Sequence, residues 1–274
     1  MGVWRTSEPT ISAASLVAGS WKAPGNISGG VWGATVPQIA VSPGGDAIAI
    51  WRKSGDGTHE VIEAASRPPG DAWQSPVVIS TPQQEVPPGD TTAVSHPQVA
   101  IDSSGNAVAV WEGYNGSAYF IQSASKPADS SWQTPVDLFS DPDQMAADPQ
   151  IATDPTGDAI AVWRRRYNSV TSEYVIEAAS RSAGDAWQSP VVVSDPLESS
   201  YAPQVAVDPS GSAVIVWSTY SYYGAIQAAD KTVEGAWSEP VDLSAAGQFA
   251  SEPQIAIDAN GNAAAVWTGW PDSV

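Results

Sequence analysis

The sequence predicts an all-β fold, a five-bladed β-propeller of four-stranded blades. Three observations predict it: a segment opening on Pro-Gln recurs five times, a second segment follows each of the first four, and the halves are circularly permuted along the chain. The first halves are PQIAVSPGGDAIAIW from Pro37, PQVAIDSSGNAVAVW from Pro97, PQIATDPTGDAIAVW from Pro149, PQVAVDPSGSAVIVW from Pro203 and PQIAIDANGNAAAVW from Pro253. The second halves are VIEAASRPPGDAWQSPVVIS from Val61, FIQSASKPADSSWQTPVDLFS from Phe120, VIEAASRSAGDAWQSPVVVS from Val175 and AIQAADKTVEGAWSEPVDLS from Ala225. No second half follows Pro253, but TISAASLVAGSWKAPGNIS from Thr10 matches that pattern with no first half before it. A linear solenoid gains nothing from splitting a unit between the termini, whereas a ring is locked by one. The expectation is therefore a single domain over 1–274, with blades at about 37–80, 97–140, 149–194 and 203–244. The last blade joins 253–274 to 3–28, strands from about 10–28 completing the one that begins at about 253–268.

Each unit reads as strands A to D. In the first, strand A covers Gln38 to Val41, B covers Ala47 to Trp51, C covers Val61 to Ser66 and D covers Trp73 to Ile79. Gly45, Gly105, Gly157, Gly211 and Gly261 stand where a tight A–B hairpin requires positive φ. In strand B, Ile48 and Ile50 face one way and Ala47, Ala49 and Trp51 the other, so both faces are apolar, as stacked sheets require. No stretch has sustained helical periodicity. Four-stranded units repeated radially are the propeller architecture.

Composition narrows the function. The chain has 274 residues, with 11 Lys plus Arg against 30 Asp plus Glu, a net charge of −19. Such a surplus repels phosphate backbones and argues against nucleic acid and anionic membrane surfaces as partners. No apolar run reaches the ~18 residues of a membrane-spanning helix. With no Cys, thiolate chemistry and disulfides are excluded, and His59 and His96 alone make no three-histidine zinc centre. Neither a cofactor nor a metal site is predicted.

The A–B segments resemble the hairpins of NHL-type and other bacterial propeller repeats, and distantly the Asp-box (BNR) hairpin of sialidase-like propellers. The Asp-box spacing differs: Asp208 precedes Gly211 by three residues and Trp217 by nine. The resemblance implies the propeller fold, and five-bladed propellers include tachylectin-like sugar binders as well as glycoside hydrolases, so fold alone leaves function open.

Strand direction places the D–A and B–C connections on one face of the ring. The A–B and C–D turns, uniform in sequence, lie on the other and read as structural. The first set varies and carries the aromatic residues Trp32, Tyr114, Tyr119, Tyr167, Tyr174, Tyr201, Tyr220, Tyr222, Tyr223 and Trp270, with His96 and Phe249 in D–A linkers. Tyr and Trp provide rigid amphipathic contact area, and their rings stack on sugar faces. Trp32, Tyr114, Tyr167, Tyr201, Tyr220, Tyr222, Tyr223 and Trp270 are therefore the candidate ligand-binding residues, though these rings could equally seal the loops. Gln38, Gln98, Gln150, Gln204 and Gln254 open the innermost strands and form a candidate ring at the channel mouth. Trp51, Trp111, Trp163, Trp217 and Trp267 end strand B and read as blade packing; Trp21, Trp73, Trp132, Trp187 and Trp237 open strand D, nearer the rim. The Asp of the A–B turns (Asp102, Asp154, Asp208 and Asp258) reads as a hydrogen-bonding turn carboxylate. Arg164, Arg165 and Arg166 read as balancing local acids such as Glu173.

Near-identical blades suit a repeated weak site better than one reaction centre. The leading expectation is thus a non-catalytic, monomeric binding propeller, extracellular or on a bacterial surface, recognising glycan or a protein partner through the variable face. The alternative is a glycoside hydrolase, which needs two carboxylates roughly 5–10 Å apart at the mouth. Glu85, Asp90, Glu112, Asp148, Glu198 and Glu252 are its candidates, and no catalytic pair has a motif behind it. A third expectation is a structural or engineered repeat array: Trp4 and Trp267 both match the end of strand B, as a boundary inside an array produces.

Overall fold

The computed structural model describes residues 9–17, 19–29, 33–54, 60–81, 94–167, 173–220, 224–233, 235–245 and 249–270. Trp4, Trp32, His59, Glu85, Asp90, Tyr222 and Tyr223 lie outside the described residues. All of the regular structure is β. Two short ladders at the amino end are made by β1 (Ser12–Ala13), β2 (Leu16–Val17), β3 (Ser20–Trp21) and β4 (Gly25–Asn26). Four four-stranded sheets follow. They are β5 (Ala34–Val41), β6 (Ala47–Ser54), β7 (Glu60–Arg67) and β8 (Val77–Val78); then β9 (Val94–Ile101), β10 (Ala107–Tyr114), β11 (Tyr119–Lys126) and β12 (Val136–Asp141). The third and fourth are β13 (Ala146–Thr153), β14 (Ala159–Arg166), β15 (Tyr174–Arg181) and β16 (Val191–Val192); and β17 (Ser199–Val207), β18 (Ala213–Tyr220), β19 (Ile226–Lys231) and β20 (Val241–Asp242). β21 (Phe249–Ile257) and β22 (Ala263–Trp270) pair only with each other. Every pairing is antiparallel between sequence neighbours, apart from β1 with β4.

The second strands bury both faces, and the cores lie between sheets. Ile48, Ile50, Ile62 and Ile79 of the first sheet pack on Val94, Ala109 and Trp111 of the second. Equivalent clusters centre on Trp163 and Trp217. Trp51, Trp111, Trp163 and Trp217 are all 0% exposed, so this repeat-locked tryptophan is the anchor of sheet-on-sheet packing. Each indole N–H is satisfied from the neighbouring strand: Trp51 Nε1 donates to Glu63, Trp111 to Gln122, Trp163 to Glu177 and Trp217 to Gln227, at 3.0–3.2 Å.

The turn aspartates behave as expected. Asp102, Asp154, Asp208 and Asp258 each accept backbone N–H bonds from residues two and four further on. Hydrogen bonds from Ser210 hold the Asp208 carboxyl below its usual range, and bonds from Asn262 do the same for Asp258. The fourth strands are shorter than predicted. β8 is Val77–Val78 alone rather than Trp73 to Ile79, because Pro76 cannot donate to a ladder.

Among the described residues, β22 pairs with β21 only, and the amino-terminal ladders pair among themselves. Ile11 and Ile27 join Ala34, Ala49, Trp51 and Ala65 in a core against the first sheet. They take the place that Ile62 and Ile79 take against the second.

Candidate functional site at the channel mouth

The innermost strands begin four or five residues before their Gln, at Ala34, Val94, Ala146, Ser199 and Phe249. Each is broken at the same place. The register slips across the residue before Pro and the Pro itself, as between Thr35 and Gln38, Ala147 and Gln150, Tyr201 and Gln204, and Ser251 and Gln254. Pro has no N–H for the ladder and disfavours the right-handed helical region in the residue before it, so the strand bulges. That residue takes left-handed backbone at all five sites: Val36 (φ 54°), His96 (45°), Asp148 (55°), Ala202 (50°) and Glu252 (55°). These are non-glycine residues in a region costing about 1–3 kcal/mol, and a bulge of this kind re-aims a side chain.

Five equivalent bulges therefore present five different side chains, and the residue after the strand-B tryptophan meets three of them, His96, Asp148 and Glu252, from the next strand. His96 Nδ1 lies 2.8 Å from Glu112 Oε1, while Glu112 Oε2 accepts the backbone N–H of Asp148 at 2.6 Å, linking the second and third sheets. Asp148 Oδ2 lies 2.6 Å from Arg164 Nε. The Arg164 guanidinium sits over Tyr174 and Tyr201, 5.0 and 5.6 Å from their ring centres. At the other bulges, Thr268 Oγ1 donates to Glu252 at 3.3 Å, Ser218 Oγ to the Tyr201 carbonyl at 3.1 Å, and Arg52 Nε to Thr35 at 3.2 Å.

His96, Glu112 and Asp148 have ligand atoms all within 4.8 Å of one another. Their carboxylates already receive Nδ1–H, a backbone N–H and a guanidinium, so a cation would have to displace those donors. The hydrogen bond to Glu112, aided by the charges of Glu112 and Asp148, raises the His96 pKa, against burial and Arg164, which lower it. With Nδ1 held by Glu112, Nε2 has no partner among the described residues and the ring is 53% exposed, the arrangement of an oriented acid–base histidine.

The predicted aromatic residues fall into separate groups. Tyr201 packs at a tilt against Tyr174 (5.4 Å) and meets Tyr220 edge-on (6.2 Å), continuing the Arg164 cluster toward solvent, where Tyr220 is 72% exposed. Tyr114 packs on Tyr119 at 4.8 Å, and Trp270 meets Phe249 at 5.0 Å. Tyr167 lies under Arg165, 5.9 Å away. Gln38, Gln98, Gln150 and Gln204 are half-buried and Gln254 exposed, and none makes a side-chain hydrogen bond among the described residues. Of the carboxylate candidates, Glu112 and Asp148 come together, whereas Glu198 accepts from Gln227 and Glu252 from Thr268. Arg164 and Arg165 pair with Asp148 and Glu177, not with Glu173, because alternation along β14 sends them to opposite faces.

His96 and Arg164 were not among the expected site residues. A signal for both lies in the repeats: Pro-Gln is constant while the residue before it changes from Val to His, Asp, Ala and Glu, and the residue after the tryptophan changes from Arg to Glu, Arg, Ser and Thr.

No family model matches the chain, and none of the curated proteins compared with it does. Solved structures do. A protein of unknown function from Dyadobacter fermentans matches with a TM-score of 0.57 at 12% identity, over 82% of this chain and 72% of that one. A Penicillium chrysogenum α-L-arabinanase complexed with arabinobiose gives 0.56 at 13%, over 85% and 74%. A polysaccharide lyase acting on ulvan gives 0.57 at 10%, over 86% of this chain and 60% of its own length. The fold is a β-propeller. At these identities the likeness extends to the fold alone.

Proposed function

We propose that this propeller cleaves glycosidic bonds at the bulge-lined mouth of its channel. The observation that carries the reading is the convergence of Glu112, Asp148 and His96 within 4.8 Å, at two repeat positions where otherwise similar repeats diverge in charge. Retaining glycosidases use carboxyl groups about 5–5.5 Å apart. In this reading Asp148, braced by Arg164, bonds to the anomeric carbon as the glycosidic bond breaks and the His96–Glu112 pair gives a proton to the leaving oxygen; the same pair then takes a proton from the water that displaces Asp148 and releases the sugar. Tyr174, Tyr201 and Tyr220 supply ring faces for the flanking sugars. Glycan polymers outside the cell are the substrates such an open mouth suits, and the carbohydrate-active names among the structural neighbours agree with it.

Reducing-end release from a panel of plant, algal and bacterial polysaccharides tests it. Turnover by the wild type, and its loss by about 100-fold or more in both Glu112→Gln and Asp148→Asn, is expected. A panel substrate that binds by calorimetry without turnover overturns catalysis in favour of the non-catalytic binder, a reading the exposed Tyr220 and Trp270 favour.

A further inference from the structure

Each four-stranded sheet ends its third strand on a cation: Arg67 on β7, Lys126 on β11, Arg181 on β15 and Lys231 on β19. Four of the chain's 11 basic residues therefore stand at one repeat position, in a protein of net charge −19. Three of them lie over the tryptophan that follows: Arg67 over Trp73 at 5.7 Å, Arg181 over Trp187 at 5.0 Å and Lys231 over Trp237 at 5.8 Å. Cover for the indole does not account for the charge. The Lys126 side chain makes no hydrogen bond, ion pair or ring contact among the described residues, yet it is basic. The amino-terminal segment ISAASL carries Leu16 at the same position, so folding does not require a cation there. None of the four cations forms an ion pair among the described residues, and Nε of Arg67 and of Arg181 is buried without a partner. A half-buried cation with no counter-ion is costly, and an anion placed beside it is stabilised.

The cations flank the seams between sheets. Arg67 and Lys126 line a cleft of about 420 Å³ between the first and second sheets, and Lys126 and Arg181 line one of about 340 Å³ between the second and third. Neutral hydrogen-bonding groups complete each cleft: Gln74, Ser130 and Ser131 in the first, Gln133 and Ser125 in the second. The side-chain amides of Gln74 and Gln133 have no partner among the described residues. Two of the carboxylates in these clefts are engaged in the A–B turns, Asp46 with the Ser42 hydroxyl and Asp102 with the N–H groups of Ser104 and Asn106. The other two, Asp129 and Asp185, are on exposed C–D turns and pair with no cation among the described residues.

We infer that each of these two clefts binds an acidic sugar, a uronate, with its carboxylate between the two cations and its hydroxyls on the glutamine amide and the serines. The guanidinium fork matches a carboxylate, and both volumes fall in the range of small-molecule sites. The charge of the chain selects the size of the ligand. A long polyanion meets the −19 charge along its whole length, whereas one uronate, or a short oligosaccharide ending in one, meets only the cleft within a Debye length. The site is separate from the mouth: Lys126 pairs with Ala107 on β10, five residues from Glu112, or about 17 Å at roughly 3.3 Å per residue.

Calorimetry at low salt with sodium galacturonate tests the inference, with galactose and sodium sulfate as comparators. Galacturonate should bind about tenfold or more tighter than either, because galactose lacks the anion and sulfate lacks the hydroxyls. Lys126→Met keeps the apolar stem and removes the charge common to both clefts. With no side-chain partner to lose, it should stay folded by near-ultraviolet circular dichroism and weaken galacturonate about tenfold or more at both sites. Arg181→Gln leaves the first cleft intact and should remove one of the two sites. Galactose or sulfate binding as tightly as galacturonate overturns the inference, and so does Lys126→Met binding like the wild type. Glu112→Gln, altered only at the mouth, should keep both sites, so a failure of glycoside cleavage and a failure of these clefts are read separately.

Discussion

Replacing Glu177 by Gln isolates the pairing rule that runs through the blades. Glu177 is buried, accepts the Trp163 indole N–H at 3.1 Å, and pairs with Arg165 at 2.8 Å. Gln keeps an acceptor for the indole but removes the charge facing a guanidinium that is 12% exposed. Breaking one side of a buried ion pair costs about 3–5 kcal/mol when nothing else compensates. Here Arg165 retains hydrogen bonds to Gln144 and the Arg166 carbonyl, so we expect a loss of about 2 kcal/mol. The fourth sheet already contains the alternative pair, Gln227 with Thr219 at the Arg165 position. Arg165→Thr alone strands the carboxylate and forfeits stacking on Phe139 and Tyr167. The double variant Arg165→Thr/Glu177→Gln reproduces the fourth sheet's pair. Equilibrium urea unfolding, followed by tryptophan fluorescence on all four proteins, should give a coupling energy of about 2 kcal/mol. A coupling below about 0.5 kcal/mol would refute the claim that the charge at this position is set by its partner two residues past the tryptophan.

Two further outcomes follow from the same geometry. His96 has a raised pKa in the folded state, so its contribution to stability is fully present below about pH 6.5 and is lost as pH rises through the higher folded value. Glu112→Gln should lower the His96 pKa, read by NMR in a chain with only two histidines, and flatten that stability profile; an unchanged titration would remove Glu112 as the cause. Gly157→Ala combines a φ of +97° with a Cβ that would fall 2.7 Å from Asp102 Oδ2 in the neighbouring sheet, while Gly184→Ala at φ +79° meets nothing within 4 Å. The Gly184 variant should lose about 1–2 kcal/mol and the Gly157 variant at least about 1 kcal/mol more, by urea unfolding; equal losses would mean that the Asp102 contact between sheets carries no energy.

Much of the fold was legible because a repeat states each rule several times. One strand-B tryptophan is ambiguous, but five at one position, with Gly six residues before each, leave little besides stacked hairpins. The site was half legible. Glu112 and Asp148 entered as carboxylates on the variable face, but they are 36 residues apart and in different sheets, so only packing could show that Glu112 bonds the Asp148 backbone. The glutamines drew attention through their constancy. The more telling feature was the change in the residue before each Pro-Gln, and its consequence depends on a left-handed backbone that pattern reading does not supply.

What the sequence by itself determined is the blade: alternation, turn glycines and proline positions act over a few residues and repeat, so local chemistry suffices. The tertiary structure alone decided how blades meet. It set which carboxylates converge and which arginine braces Asp148. Those outcomes depend on the angle between packed sheets, a sum of many small contacts around the buried tryptophans that no single repeat encodes.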